Sequence, residues 1–151
     1  CVLKVESIKG REDTDVINIE VNEAENAQWT VMVFINGDND LEYAGIDDIN
    51  EMEVAGSTEE VNIVVQFDRS REFATDEGNW HGARRYKIER EHSPAIGSQV
   101  LEDLGAVDSG DYNSVVDFVE WSVENNPAEK YARAAGPTLG PGANLSSEKT
   151  R

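Results

Sequence analysis

Few residues in this chain could make or break bonds. There are two histidines, His81 and His92, and one cysteine, Cys1. Thiol-based catalysis needs a thiolate and an imidazole within hydrogen-bond reach of each other. Cys1 is far in sequence from both histidines, and acidic residues near it would raise a thiol pKa rather than lower it. His81-Gly82 lies in an alternating segment, where an exposed hairpin histidine is the ordinary arrangement. His92 stands in a polar stretch beside Ser93-Pro94. Ser98, Ser109 and Ser114 lack the Gly-x-Ser-x-Gly turn that presents a serine nucleophile. No catalytic residue is therefore assigned.

The run Asp38-Asn39-Asp40-Leu41-Glu42 resembles a cation loop. An EF-hand requires glycine at its sixth position, and counting from Asp38 that position is Tyr43, so no metal site is assigned. Gly37 is isolated and no glycine-rich phosphate loop exists, so no cofactor is assigned either. The plainer role of this run is to cap a helix and fix a sharp turn, with Asp38 or Asn39 as N-cap and Glu42 placing charge at the helix start. In an open α/β sheet, however, loops at the carboxyl ends of strands line the crevice. On that ground Asn36, Gly37, Asp38, Asn39 and Asp40, with Asp68 and Arg69, are the candidate groove-lining residues.

These loops need strands and helices to place them. Trp29 to Ile35 is a nearly continuous apolar, β-branched run, as expected of a strand covered on both faces. Leu41 to Val54 follows as a helix with Leu41, Ile46, Ile49 and Met52 as its apolar stripe and Gly56 as its stop. Val61 to Phe67 is a second buried strand, which completes a βαβ unit with parallel strands. Trp80 to Arg90 reads as one arm of a hairpin, Ser98 to Leu104 is ambiguous, and 111–125 is a helix with Val115, Phe118 and Val119 on its apolar face, ended by Pro127. Residues 1–28 form a polar lead-in, either a tether or an added edge hairpin. From Arg133 onward the chain is rich in Gly, Pro, Ser and Ala and lacks periodicity, which predicts a disordered tail over 133–151. The fold class is α/β, an incomplete doubly wound parallel sheet with a β-hairpin insertion.

The formal charge is −18, from 31 acidic against 13 basic residues. Such a field opposes binding to nucleic acid, which needs clustered Lys and Arg. Arg84, Arg85 and Lys87 are the nearest approach to a cluster and read as a solvated face. No stretch approaches the roughly 20 apolar residues that span a bilayer. A mature lipoprotein begins with a lipid-bearing Cys, and Cys1 before a polar, acidic segment fits that pattern; an arbitrary fragment start is the plainer account.

Five segments, in unbroken order over about 29–132, together resemble the clostripain-like (C11) cysteine peptidases. They are Trp29-Thr-Val-Met-Val-Phe-Ile-Asn-Gly-Asp-Asn-Asp-Leu-Glu42, Asp47-Asp-Ile-Asn-Glu-Met-Glu53, Val61-Asn-Ile-Val-Val-Gln-Phe-Asp-Arg69, Trp80-His-Gly-Ala-Arg-Arg-Tyr86 and Leu104-Gly-Ala-Val-Asp-Ser-Gly-Asp111. The resemblance implies a caspase-like fold, a Cys–His dyad, cleavage after basic residues and a peptide or protein substrate for the intact domain. The lipoprotein-like Cys1, for its part, would suit a secreted or cell-envelope location. The resemblance places the family's histidine in an Asp-His-Gly motif just after the position of Ala132, where this chain has Arg133-Ala-Ala-Gly-Pro. The expectation is thus the N-terminal part of a peptidase domain, lacking the dyad and inactive alone. The alternative is an acidic, non-catalytic binding or adaptor domain of the same fold.

Overall fold

A computed structural model describes residues 2–8, 16–22, 26–136 and 146–148 of the 151. Two strands near the start, β1 (Val2–Ile8) and β2 (Val16–Asn22), pair antiparallel in a sheet of their own. Within the lead-in, Val2–Ile8 and Val16–Asn22 thus pair as the two arms of a hairpin would, rather than as a structureless tether.

The remaining elements are β3 (Ala27–Gly37), α1 (Glu42–Ala55), β4 (Val61–Arg69), β5 (Gly82–Lys87), β6 (Val100–Gly105), α2 (Tyr112–Asn125), β7 (Ala128–Gly136) and β8 (Ser146–Glu148). They build one mixed sheet in the order β6-β5-β4-β3-β7-β8. β3 is central, with β4 and β7 parallel to it on either side, while β5, β6 and β8 run antiparallel to their neighbours. The two strands expected to be parallel are so, in a register that sets Trp29 against Val61 and Gly37 against Arg69.

Alternation along the strands divides the core between two faces. Val33, Ile35, Val65, Phe67, Tyr86 and Ile88 point to one side, where Ile46 and Ile49 of α1 cover them. Met32, Phe34 and Val64 point to the other, where Phe118 of α2 meets them, joined by Val115, Val119 and Trp121. A strand buried on both faces cannot show a polar stripe, which is why β3 and β4 read as unbroken apolar runs.

The sequence-based expectations need correction at several places. A disordered tail from Arg133 does not hold for its first residues: Arg133, Ala134, Ala135 and Gly136 continue β7 opposite Met32 to Ile35, and Ser146–Glu148 pairs with Tyr131–Arg133. The physical reason is that β3 presents a full row of backbone donors and acceptors, and small residues satisfy it without needing side-chain burial. Ala134 is even buried. The rest of that segment, 137–145 and 149–151, lies outside the described residues. Leu41 is not part of the α1 stripe: it is exposed at the N-cap position, and the inward residues of that turn are Glu42 and Gly45. Arg85 does not belong to a solvated face. It is buried, with Nε donating to Gln66 Oε1 at 2.8 Å and Nη1 to Glu102 Oε2 at 2.9 Å. A further ion pair joins it to Asp117 on α2, and its guanidinium lies 4.9 Å from the Trp121 ring.

Candidate functional site: the cleft at the carboxyl ends of β3 and β4

At the carboxyl ends of the two central parallel strands the chain turns out of the sheet three times, at 37–41, 69–81 and 105–111. Between these turns lie two adjoining hollows of about 400 and 610 Å³ that share Asp38, Asp68, Ala106 and Val107. The first is closed by the run 69–73, which includes Arg69, Arg71 and Phe73, and by His81 and Gly82. The second is closed by Asn36, Asp108, Ser109 and Gly110.

The first turn is held from within. Asn39 donates from its amide nitrogen to the Asn36 carbonyl at 2.8 Å, and its side-chain oxygen accepts the Leu41 amide at 2.9 Å. Asn39 thus fixes the turn, while Asp38 and Asp40 are left exposed to solvent. Gly37 serves another purpose. A Cβ there would stand 2.5 Å from Cε2 of Phe67, and one at Gly45 would stand 2.6 Å from the same atom. The Phe67 ring therefore occupies the space that two side chains would claim.

Arg69 turns inward rather than into the cleft. Its Nε donates to Glu42 Oε1 at 2.5 Å, and both side chains are wholly buried. Its other nitrogens reach the carbonyls of Asp76 (3.2 Å) and Ala74 (3.4 Å). Trp80 lies over it, 4.8 Å from guanidinium carbon to ring centroid. Glu42 was expected to stabilise the helix start by its charge; instead it neutralises this guanidinium and accepts the Ala74 amide at 3.0 Å.

Asp68 remains facing the cleft. It is buried, and Ser109 donates its hydroxyl to Asp68 Oδ2 at 2.7 Å. Burial pushes its pKa above the ordinary 3.8, with the charges of Asp38 and Asp108 acting in the same direction, while the Ser109 hydroxyl and the Arg69 backbone amide act against it. Asp108 organises the third turn: it accepts the Gly110 amide at 2.9 Å, and its carbonyl accepts the Ser114 hydroxyl at 2.6 Å. Asp111 then caps α2 through the Asn113 amide.

The structure brings Asn36, Asp38 and Asp68 of the expected groove residues to the cleft walls; Arg69 borders the first hollow but turns its guanidinium inward to Glu42, Gly37 packs on Phe67, Asn39 is spent on the turn, and Asp40 is solvated. Sequence reasoning missed Ser109 and Phe73. Ser109 lies forty-one residues from its partner Asp68, and no local pattern marks such a pairing. His81 borders the cleft and is exposed, while His92 lies in a separate hollow beside α1. No group of three or more metal-ligating side chains occurs among the described residues, and no helix of them is long and apolar enough to cross a membrane.

A doubly covered sheet with its crevice over the central parallel strands is the fold of the caspase-like C11 cysteine peptidases. A B. fragilis cysteine protease superposes with a TM-score of 0.56 and 22% identity, covering 82% of this chain and 98% of that one. A secreted C11 cysteine protease from Bacteroides thetaiotaomicron, solved with an irreversible peptide inhibitor, superposes with a TM-score of 0.57 and 20% identity over 78% of this chain and 36% of that one. In sequence, clostripain of Hathewaya histolytica is 26% identical over 121 residues, which is 73% of this chain and 23% of that protein. The profile of the clostripain family (Peptidase_C11) matches residues 33–133, and the chain belongs to that family. It spans about a quarter of the length of that curated relative.

Proposed function

We propose that this chain supplies one side of the substrate groove of a clostripain-type peptidase domain and has no complete nucleophile–base pair of its own. The observation that carries the reading is the cleft at the carboxyl ends of β3 and β4, with Asp38, Asp68 and Asp108 around it; of the two arginines in its lining, Arg69 is neutralised by Glu42 and Arg71 stands exposed beside the first hollow. Carboxylates in a partly dry recess favour a cationic side chain, in keeping with a family that cleaves after arginine or lysine. Amides at the mouth, such as Asn36, can hold a peptide backbone by hydrogen bonds.

Hydrolysis itself needs a nucleophile, a base and an oxyanion site within a few ångströms of one another. His81 and His92 are the only histidines, and Cys1, the one cysteine, lies outside the described residues. The strand that the resemblance places ahead of an Asp-His-Gly motif is β7, and it ends in Arg133-Ala-Ala-Gly136. A secreted setting is in keeping with the secreted relative; lipid attachment at Cys1 is a separate proposal, tested by mass spectrometry of the native protein.

Two measurements test the reading. The purified chain should hydrolyse no Arg- or Lys-containing peptide above a blank. A non-cleaved arginyl peptide should shift the amide resonances of residues 36–40 and 68–70, and Asp68→Asn should weaken that binding. Turnover that is lost in His81→Ala but kept when Cys1 is replaced would overturn the first claim. Peptide shifts confined to regions away from these loops would overturn the second.

A further inference from the structure

We infer that Glu42, through its buried pair with Arg69, is the positioning residue for the outer wall of the cleft, the 70–76 loop that presents Phe73. The inference rests on the reading of this cleft as a peptide groove.

Phe73 is 42% exposed, a large aromatic in solvent at the rim of the 400 Å³ hollow. Its neighbour Ala74 is 1% exposed and packs in the core beneath α1. The difference between adjacent residues has a mechanical cause. Glu42 uses one carboxylate oxygen on Arg69 Nε (2.5 Å) and the other on the Ala74 amide (3.0 Å), and Arg69 returns a bond to the Ala74 carbonyl (3.4 Å). A third bond, from Arg69 to the Asp76 carbonyl, holds the far end of the same loop. The backbone beside Phe73 is thus pinned on both its donor and its acceptor, by side chains that have no contact with water. A rigidly held aromatic at a pocket rim loses little entropy when a ligand covers it, which suits a binding anchor.

A second carboxylate on the same helix provides an internal control. Glu53 lies eleven residues further on, about three turns, and so on the same face. It is also buried, and it accepts the amides of Gly97 (3.1 Å) and Ser98 (2.8 Å). It pins a different loop, which is absent from the cleft lining. One helix therefore bolts two loops, and only the Glu42 bolt reaches the groove.

The test combines hydrogen exchange with peptide affinity. In Glu42→Gln, exchange at the Ala74 amide should rise roughly tenfold or more, while Val64 and Val65 keep their protection. Should that variant fold poorly, with Arg69 left unpaired, the double change Glu42→Met with Arg69→Met removes both charges and still leaves the Ala74 amide without its acceptor. In whichever variant retains the protection of β3 and β4, the dissociation constant for the arginyl peptide should rise about tenfold, in step with Phe73→Ala. Glu53→Leu, which removes the shared acceptor oxygen, should free the Gly97 and Ser98 amides and leave that affinity unchanged. A wild-type chain that binds no peptide would refute the groove reading itself. Binding that is seen, but is equally tight in wild type and in the Glu42 and Phe73 variants, would leave the groove standing and overturn the positioning role; so would a 70–76 loop as protected without Glu42 as with it.

Discussion

Asp68 carries the clearest pH signature in the cleft. Its pKa is raised above 3.8 chiefly by burial. Below 3.8 the carboxyl is protonated in the folded and unfolded chains alike, and it makes no difference to stability. Between 3.8 and the folded value the unfolded chain has lost the proton and the folded chain keeps it, so stability falls as pH rises. Above the folded value the penalty is fully present. Asn at this position cannot ionise and can still accept from Ser109. Asp68→Asn should therefore gain stability relative to wild type on going from pH 3 to pH 7, read as the difference in urea midpoints. Equal differences at the two pH values would refute this account. At Arg85 the partners can be ranked by exposure. Asp117 is 70% exposed, so Asp117→Asn should cost under about 1 kcal/mol. Arg85→Ala strands Gln66 and removes the cation from Trp121, and should cost about 3 kcal/mol. Tyr86, whose hydroxyl burial pushes up to about 12, stays neutral at every pH of interest.

At the scale of elements, α1 sits on the sheet through contacts that include a glycine. Alanine is the better helix former by about 1 kcal/mol, which alone would make Gly45→Ala stabilising. Against that, a Cβ at 2.6 Å from a ring that is fully buried and held edge-on by Trp80 forces either helix or ring to move. Overpacking of this kind costs about 1–3 kcal/mol, so Gly45→Ala should be destabilising on balance, and adding Phe67→Leu should recover part of the loss. Thermal melts of the single and double variants decide it. Gly56 has the opposite origin: it closes α1 at φ +66°, a backbone geometry that side-chain-bearing residues rarely adopt.

For the whole molecule, the decisive strand is β7. It pairs with β3 from Ala27↔Ala128 to Ile35↔Gly136 and so covers an edge of the sheet's central strand. Ending the chain after Ala132 would strip the partners of Met32 to Ile35 and leave an apolar strand edge open. Such a chain should melt several degrees lower than one ended after Gly136 and should aggregate sooner, as light scattering would register. Identical melting of the two chains would show that the last four residues of β7 contribute nothing.

Local pattern alone determined a good deal. Buried parallel strands have no polar face, so the runs at Trp29 to Ile35 and Val61 to Phe67 declared themselves, and the turn residues between them marked the loops that reach the cleft. The helix expected over 111–125 followed from its apolar spacing and from Pro127 beyond it, and the structure has it as Tyr112–Asn125 with Asp111 as its cap. The same ordered segments carried the family. What only the tertiary structure decided were contacts between residues distant along the chain. Glu42 looked like a helix-end charge and became the counterion of Arg69; Arg85 looked solvated and became a buried tie between strands and α2; Ser109 found Asp68 across forty-one residues. Only the last four residues of β7, 133–136, fall in the stretch whose Gly-, Pro-, Ser- and Ala-rich composition predicts disorder, yet their order comes from backbone pairing to β3. Hydrogen-bond pairing of main chain to main chain, and the burial of a charge beside its opposite, depend on which segments fold together. Neither leaves a periodic trace in the residues that make it.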